Sequence, residues 1–131
     1  MLDHVSIAVA DLARAARFYD AVMAALGVPC VWRAERAIGY GLRNDAVADG
    51  RSYLTIALGA PPADAACHWC FRAPDRAAVR AFHAVGLAHG GRDDGPPGVR
   101  PHYHAAYYAA FLCDPDGNRI EAVCHRAERA A

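Results

Sequence analysis

Between His4 and Val9 the chain alternates, with Val5, Ile7 and Val9 on one side and His4, Ser6 and Ala8 on the other. This two-residue period predicts a strand with one covered face. After Asp11 the period changes. Leu12, Ala15, Ala16, Tyr19, Val22, Met23 and Leu26 fall near helical spacing. Asp11 is placed to accept from the free N–H groups of the first turn, and Gly27 to end the helix. The same succession returns from Cys67. Trp69, Phe71 and Ala73 alternate with His68, Cys70 and Arg72. Pro74 and Asp75 then open a second helix, with Val79, Phe82 and Val85 on its buried face and Gly90–Gly91 at its end. Laid over one another without a gap, the two stretches put His4 on His68, Asp11 on Asp75, Ala13 on Ala77, Phe18 on Phe82 and Gly27 on Gly91.

Shorter strand-like runs follow each helix. In the first half they are "CVWRA", "AIGYGL" and "YLTIAL". In the second they are a weak one near Arg92, then "AYYAAFLC" and "RIEAV". "DGPPGVRP" reads as a loop from its Gly and Pro content. Asp114-Pro115-Asp116-Gly117 reads as the hairpin turn before the last strand. Each half is therefore strand, helix and three strands, in one domain spanning 1–131. Module one covers 1–60, module two covers 66–126, and "GAPPADAA" connects them.

Length and charge narrow the picture. A chain of 131 residues, 55% hydrophobic, suffices for one domain with a real core and is too short for two ordinary ones. Basic and acidic residues number 14 each, and no charge block occurs. A nucleic-acid footprint and a polybasic membrane patch are therefore not expected. Every basic residue of the Lys/Arg class is Arg, which excludes a Schiff-base lysine and a P-loop lysine. Five cysteines, no signal-peptide pattern and no apolar run long enough to span a bilayer predict a cytoplasmic protein with reduced thiols. "CHWC" has CxxC spacing, but in a strand the two thiols point to opposite faces, and no second CxxC exists. Cys30, Cys113 and Cys124 are expected to be small buried hydrophobes.

Chemistry enters on the uncovered faces. His4 and His68 occupy equivalent positions there. In the last strand Glu121 shares a side with Arg119 and Val123, opposite Ile120, Ala122 and Cys124. A single histidine is more often hydrogen-bonded at a strand end than a ligand. Two equivalent imidazoles and a carboxylate on one concave face would, however, suit a divalent metal with open positions.

These residues resemble the vicinal oxygen chelate superfamily, which includes glyoxalase I, bleomycin-resistance proteins, fosfomycin thiol transferases and extradiol dioxygenases. The likeness runs over essentially the whole chain. It is most specific in "LDHVSIAVADLARAARFYDAVMAALG" and "FLCDPDGNRIEAV". "RPHYHAAYYAAF" is similar to a small bacterial, glyoxalase-like subgroup. The resemblance implies an α+β fold in which two βαβββ modules form a cupped, barrel-like mixed sheet with helices outside. It implies His4, His68 and Glu121 as metal ligands. It puts Thr55 at a fourth position, where glyoxalase I enzymes carry a Glu or similar ligand. Thr is a poor ligand, so the set stands closer to the thiol transferases and extradiol dioxygenases.

The function so implied is metal-dependent and glyoxalase-like, on a substrate with vicinal oxygens: a lyase, an isomerase, a thiol transfer or a ring-cleaving dioxygenation. Mn, Fe, Ni, Co or Zn would serve as the Lewis acid. Glu121, His104 and Tyr108 are the expected catalytic groups. Arg72, His102, Tyr103 and Tyr107 are the expected substrate contacts, and His125 shares the parity of Glu121. His83 and His89 are expected to face solvent. Exposed sheet edges and the family's habit point to a homodimer. Bleomycin-resistance members keep the fold and bind a ligand without metal. The alternative is therefore a metal-free binding or sequestration protein, in which Glu121 pairs with an Arg or His of the cleft.

Overall fold

The computed structural model describes residues 1–62 and 66–128. The first half builds β1 (His4–Val9), α1 (Leu12–Ala25), β2 (Cys30–Arg33), β3 (Ala37–Gly41) and β4 (Tyr53–Leu58). The second builds β5 (His68–Arg72), α2 (Arg76–Ala88), β6 (Arg92–Val99), β7 (Tyr108–Cys113) and β8 (Arg119–Cys124). Part of the connector, residues 63–65, lies outside the described residues. Each half forms a four-stranded sheet, in the orders β1-β4-β3-β2 and β5-β8-β7-β6. In both, the first strand pairs in parallel with the last, and the rest is antiparallel. The result is the expected α+β fold, with sheets that are cupped rather than closed.

The helices begin and end where the sequence puts their signals. Asp11 accepts from the Arg14 N–H at 2.9 Å and Asp75 from the Ala78 N–H at 2.8 Å. Gly27 (φ 73°) and Gly90 (φ 96°) take the left-handed conformation just past each helix. The alternation of β1 sends Ile7 and Val9 into the core at 3% and 0% exposure. Trp69 and Phe71 pack against that core, with Ala73, Ile120, Ala122 and Cys124 inside it.

α1 packs on α2, and Gly86 sets how closely. A Cβ there would lie 2.3 Å from Leu112 Cδ1 and 3.2 Å from Val22 Cγ1. Leu112 is fully buried and has little room to yield. Gly86→Ala is therefore expected to lower stability by roughly 1–3 kcal/mol through overpacking. This outweighs alanine's helix-propensity gain of about 1 kcal/mol. Chemical denaturation measures it; an unchanged midpoint would mean that α2 shifts to admit the methyl group.

The turn 114–118 clamps the two halves together. Asp114, 2% exposed, accepts from Tyr19 Oη of α1 at 2.7 Å. It also accepts from the Asp116 and Asn118 N–H groups and from Asn118 Nδ2. Asn118 Nδ2 donates onward to the Ala8 carbonyl of β1, and Asp116 holds Arg14 at 2.6 Å and the Ala10 N–H at 3.2 Å. Gly117 (φ 90°) completes the turn.

Three expectations are corrected. "DGPPGVRP" is not all loop, because β6 runs through Pro96 and Pro97. β6 is an edge strand, where residues without an N–H are tolerated, and its register to β7 slips twice around Gly95. His83 is not solvent-facing; its side chain is mostly covered and its Nε2 lies 2.8 Å from Asp93 Oδ1. Cys30 is exposed on edge strand β2, unlike the buried Cys113 and Cys124.

Candidate functional site

The chemistry gathers on the face of the second sheet turned away from α2. β8 lies between β5 and β7, and its register sets Glu121 across from Cys70 on one side and Phe111 on the other. Glu121 is 3% exposed. A buried carboxylate needs partners on both oxygens, and it has them. Tyr107 donates its hydroxyl to Oε1 at 2.6 Å. His68 Nε2 stands 3.2 Å from Oε2.

This environment acts on its neighbours. Burial and the negative charge of Glu121 push the Cys70 thiol up to about 12, although the residue reaches the surface. Burial, and then the hydrogen bond to Glu121, hold the Tyr107 phenol well above its ordinary range. Both groups are therefore protonated at neutral pH. Iodoacetamide at pH 8.5 should label Cys70 slowly. Glu121→Gln, which removes the adjacent charge, should speed that labelling several-fold. Peptide mapping separates Cys70 from the exposed Cys30 and Cys67. An unchanged rate would show that the thiol does not feel the carboxylate.

Tyr107 also centres an aromatic cluster. Its ring lies 4.7 Å from Tyr103, 5.4 Å from His104 and 5.2 Å from His125, and His102 packs on Tyr103 at 4.3 Å. His104 Nδ1 accepts from the Ala106 N–H at 3.1 Å, so a neutral His104 carries its proton on Nε2. That nitrogen faces His125 Nδ1 at 2.9 Å.

Other candidates lie elsewhere. Tyr108 pairs with Cys124 and so points to the helix side, beneath the guanidinium groups of Arg76 and Arg80. It does not meet Glu121. Arg72 follows Cys70 on the same face of edge strand β5 and is exposed. His4 stands on the first sheet, exposed, with Nδ1 2.7 Å from Asp3 Oδ1. Hydrogen bonds from His4 and Asn44 hold the Asp3 carboxyl below its usual range. Thr55 lies opposite Ser6 on that sheet. Among the described residues no three His, Cys, Asp or Glu side chains converge to hold a metal ion. One chain thus joins His68 to Glu121 but does not bring His4 to them.

Sequence reasoning had not linked Cys70 to this cluster. Its signal was available, since Cys70 shares the parity of His68. The selection of Tyr107 over Tyr108 had no such signal, because Tyr107 precedes the first paired residue of β7.

The model of the Glyoxalase/Bleomycin resistance protein/Dioxygenase superfamily matches residues 1–122. The chain belongs to this superfamily. A glyoxalase/bleomycin resistance protein from Albidiferax ferrireducens is 32% identical, with a TM-score of 0.76 over 94% of this chain and 97% of its own. Two more distant structures share the superfamily fold. The fosfomycin resistance protein FosX of Mesorhizobium loti is 21% identical, with a TM-score of 0.65 over 94% of this chain and 90% of its own. A glyoxalase I variant from Zea mays is 23% identical, with a TM-score of 0.64 over 94% of this chain and 45% of its own. No curated protein matches. No helix among the described residues is long and apolar enough to cross a membrane.

Proposed function

We propose that this superfamily member is a glyoxalase-like enzyme acting on a small molecule with two adjacent oxygens, at the His68–Glu121–Tyr107 cluster. The observation that carries this reading is the buried carboxylate with an imidazole at one oxygen and a phenol on the other. Such an arrangement can hold a substrate oxygen and move a proton beside it. Tyr107, held protonated, turns its one hydroxyl proton from Glu121 toward a substrate oxygen on which negative charge develops. Glu121 is the acceptor. His104, edge-on to Tyr107 and hydrogen-bonded to the exposed His125, holds the Tyr107 ring in place beside the carboxylate. Arg72 meets an anionic substrate group at the rim.

The donor set fits a divalent ion of the Mn, Fe, Ni, Co or Zn class in part. His68 Nε2 and Glu121 Oε2 converge, and His4 is the third ligand in this reading. His4 and His68 open equivalent edge strands, β1 and β5. We therefore propose a homodimer in which a second copy supplies His4. When bound, the ion contributes Lewis acidity toward the two substrate oxygens.

The metal-free alternative has its own support, since both oxygens of Glu121 already have protein partners. Metal analysis of protein purified without chelator or affinity tag, combined with light scattering, separates the two. The enzyme reading predicts a dimer with a stoichiometric ion that is lost in His4→Ala and in His68→Ala. A monomer with no tight ion, unaffected by His4→Ala, would overturn it. Ligand protection in a thermal-shift screen that survives EDTA would then support the binding protein.

A further inference from the structure

The first sheet carries polar atoms that the fold leaves unpartnered. Trp32 on β2 pairs across to Gly39 on β3, and Gly39 to Thr55 on β4, two residues after Tyr53. Trp32 and Tyr53 therefore meet over Gly39 on the face turned away from the core. A Cβ at Gly39 would lie 1.9 Å from Tyr53 Oη and 2.3 Å from Trp32 Nε1, so only glycine leaves room for both. Each of these two atoms is buried, and neither has a hydrogen-bond partner among the described residues. Tyr53 as a whole is only 8% exposed. Arg43 closes the spot, its guanidinium carbon 4.6 Å from the Tyr53 ring centre and 5.4 Å from that of Trp32. Arg43 makes no ion pair among the described residues.

Buried donors without an acceptor are costly and uncommon in native folds. Here an indole N–H, a phenol O–H and a guanidinium without an ion pair share one place, and among the described residues no hydrogen bond satisfies the indole or the phenol. We propose that this place binds the anionic oxygen group of a small ligand, a carboxylate or a phosphate. Trp32 and Tyr53 already fill the space over Gly39, so an oxygen that accepts from both enters from the side that Arg43 covers, where Arg43 supplies the opposite charge. Arg43 is exposed and long, so its side chain is the wall that moves to admit the ligand. The subsite stands on the first sheet and uses none of the His68–Glu121 cluster.

The Trp32 indole proton reports its own acceptor. The chain has two tryptophans, so ¹⁵N-labelled protein gives two indole signals. Trp69→Phe identifies the Trp32 signal as the one that stays; if that variant does not fold, Trp32→Phe identifies it as the one that vanishes. EDTA-treated protein is titrated with acetate, pyruvate and inorganic phosphate, with acetamide as the uncharged control. The expected result is a saturable downfield shift of the Trp32 signal with at least one anion and none with acetamide. Tyr53→Phe and Arg43→Gln should each weaken that binding by about tenfold or more while thermal unfolding stays cooperative. Response to acetate or pyruvate alone identifies a carboxylate site, and response to phosphate alone a phosphate site. No saturable shift with any anion, or unchanged binding in both variants, overturns the proposal. Glu121→Gln should bind the anion as the parent does, so failure of the metal reading leaves this result standing.

Discussion

Replacing Asp114 by Ala should lower folding stability by roughly 3–5 kcal/mol. This is a large share of the ~5–15 kcal/mol that holds an ordinary domain together. The side chain is nearly fully buried and accepts four hydrogen bonds, one from Tyr19 on α1 and three from within its own turn. Alanine leaves all four donors without an acceptor. It also frees the turn that ties β8 to Ala8, Ala10 and Arg14 of the first half. Asp114→Asn keeps the shape but sets a second amide against Asn118, so its cost should be intermediate. Tyr19→Phe removes one bond and should cost about 1–1.5 kcal/mol. Urea denaturation measures all three; a loss under about 1 kcal/mol for Asp114→Ala would mean the turn is not a structural clamp.

The same clamp predicts an alkaline limit. Burial and the nearby Asp114 charge raise the Tyr19 phenol well above its ordinary value. Burial and the hydrogen bond to Asp20 raise Tyr40 in the same direction. An unfolded tyrosine ionises near about pH 10. Below that pH the phenols are protonated in both states, and their contribution to stability is complete. Above it the unfolded chain binds fewer protons than the folded one, so stability falls as pH rises toward the folded values. Tyr19→Phe should flatten that alkaline fall.

Glu121→Gln should leave the fold intact and disable the site. The amide retains the shape, and removing a buried charge relieves a desolvation cost, so stability should stay within about 1 kcal/mol or rise. Function should respond in the opposite sense. The neutral side chain can neither balance an ion beside His68 nor take a proton, and its NH₂ has no use for the donor Tyr107. Ion affinity, or turnover of a vicinal-oxygen substrate, should fall by about 100-fold or more, since even outer partners of such ligands are worth about 10–100-fold. Tyr107→Phe should lie nearer the lower end of that range and leave ion content unchanged. Parent-like ion content and activity in Glu121→Gln would remove the carboxylate from the function altogether.

Some of this was legible without coordinates. A covered sheet face demands a period of two, and a helix packed on it demands a period near 3.6. The sequence alone therefore assigned Val5, Ile7 and Val9 to the core and His4, His68 and Glu121 to the open faces. Local signals were equally readable, because Asp11, Asp75 and the Asp114–Gly117 turn act on backbone groups a few residues away. The Pro-rich stretch within β6 was misread because its tolerance depends on being an edge strand, which is a property of the sheet.

Parity states the side of its own strand a residue takes, but not what it meets there. Strand pairing decided that β5 lies against β8, which joins His68 and Cys70 to Glu121, while β1 lies against β4, which leaves His4 with Asp3. Tyr107 reaches Glu121 from just outside β7, where alternation no longer applies, and Tyr108 turns under Arg76 and Arg80. Asp114 meets Tyr19 across 95 residues of chain, and Trp32 meets Tyr53 only because Gly39 leaves the space between them. Contacts this far apart in sequence carry no periodic signal, so only the pairing of strands within each half and the packing of one half on the other determine them.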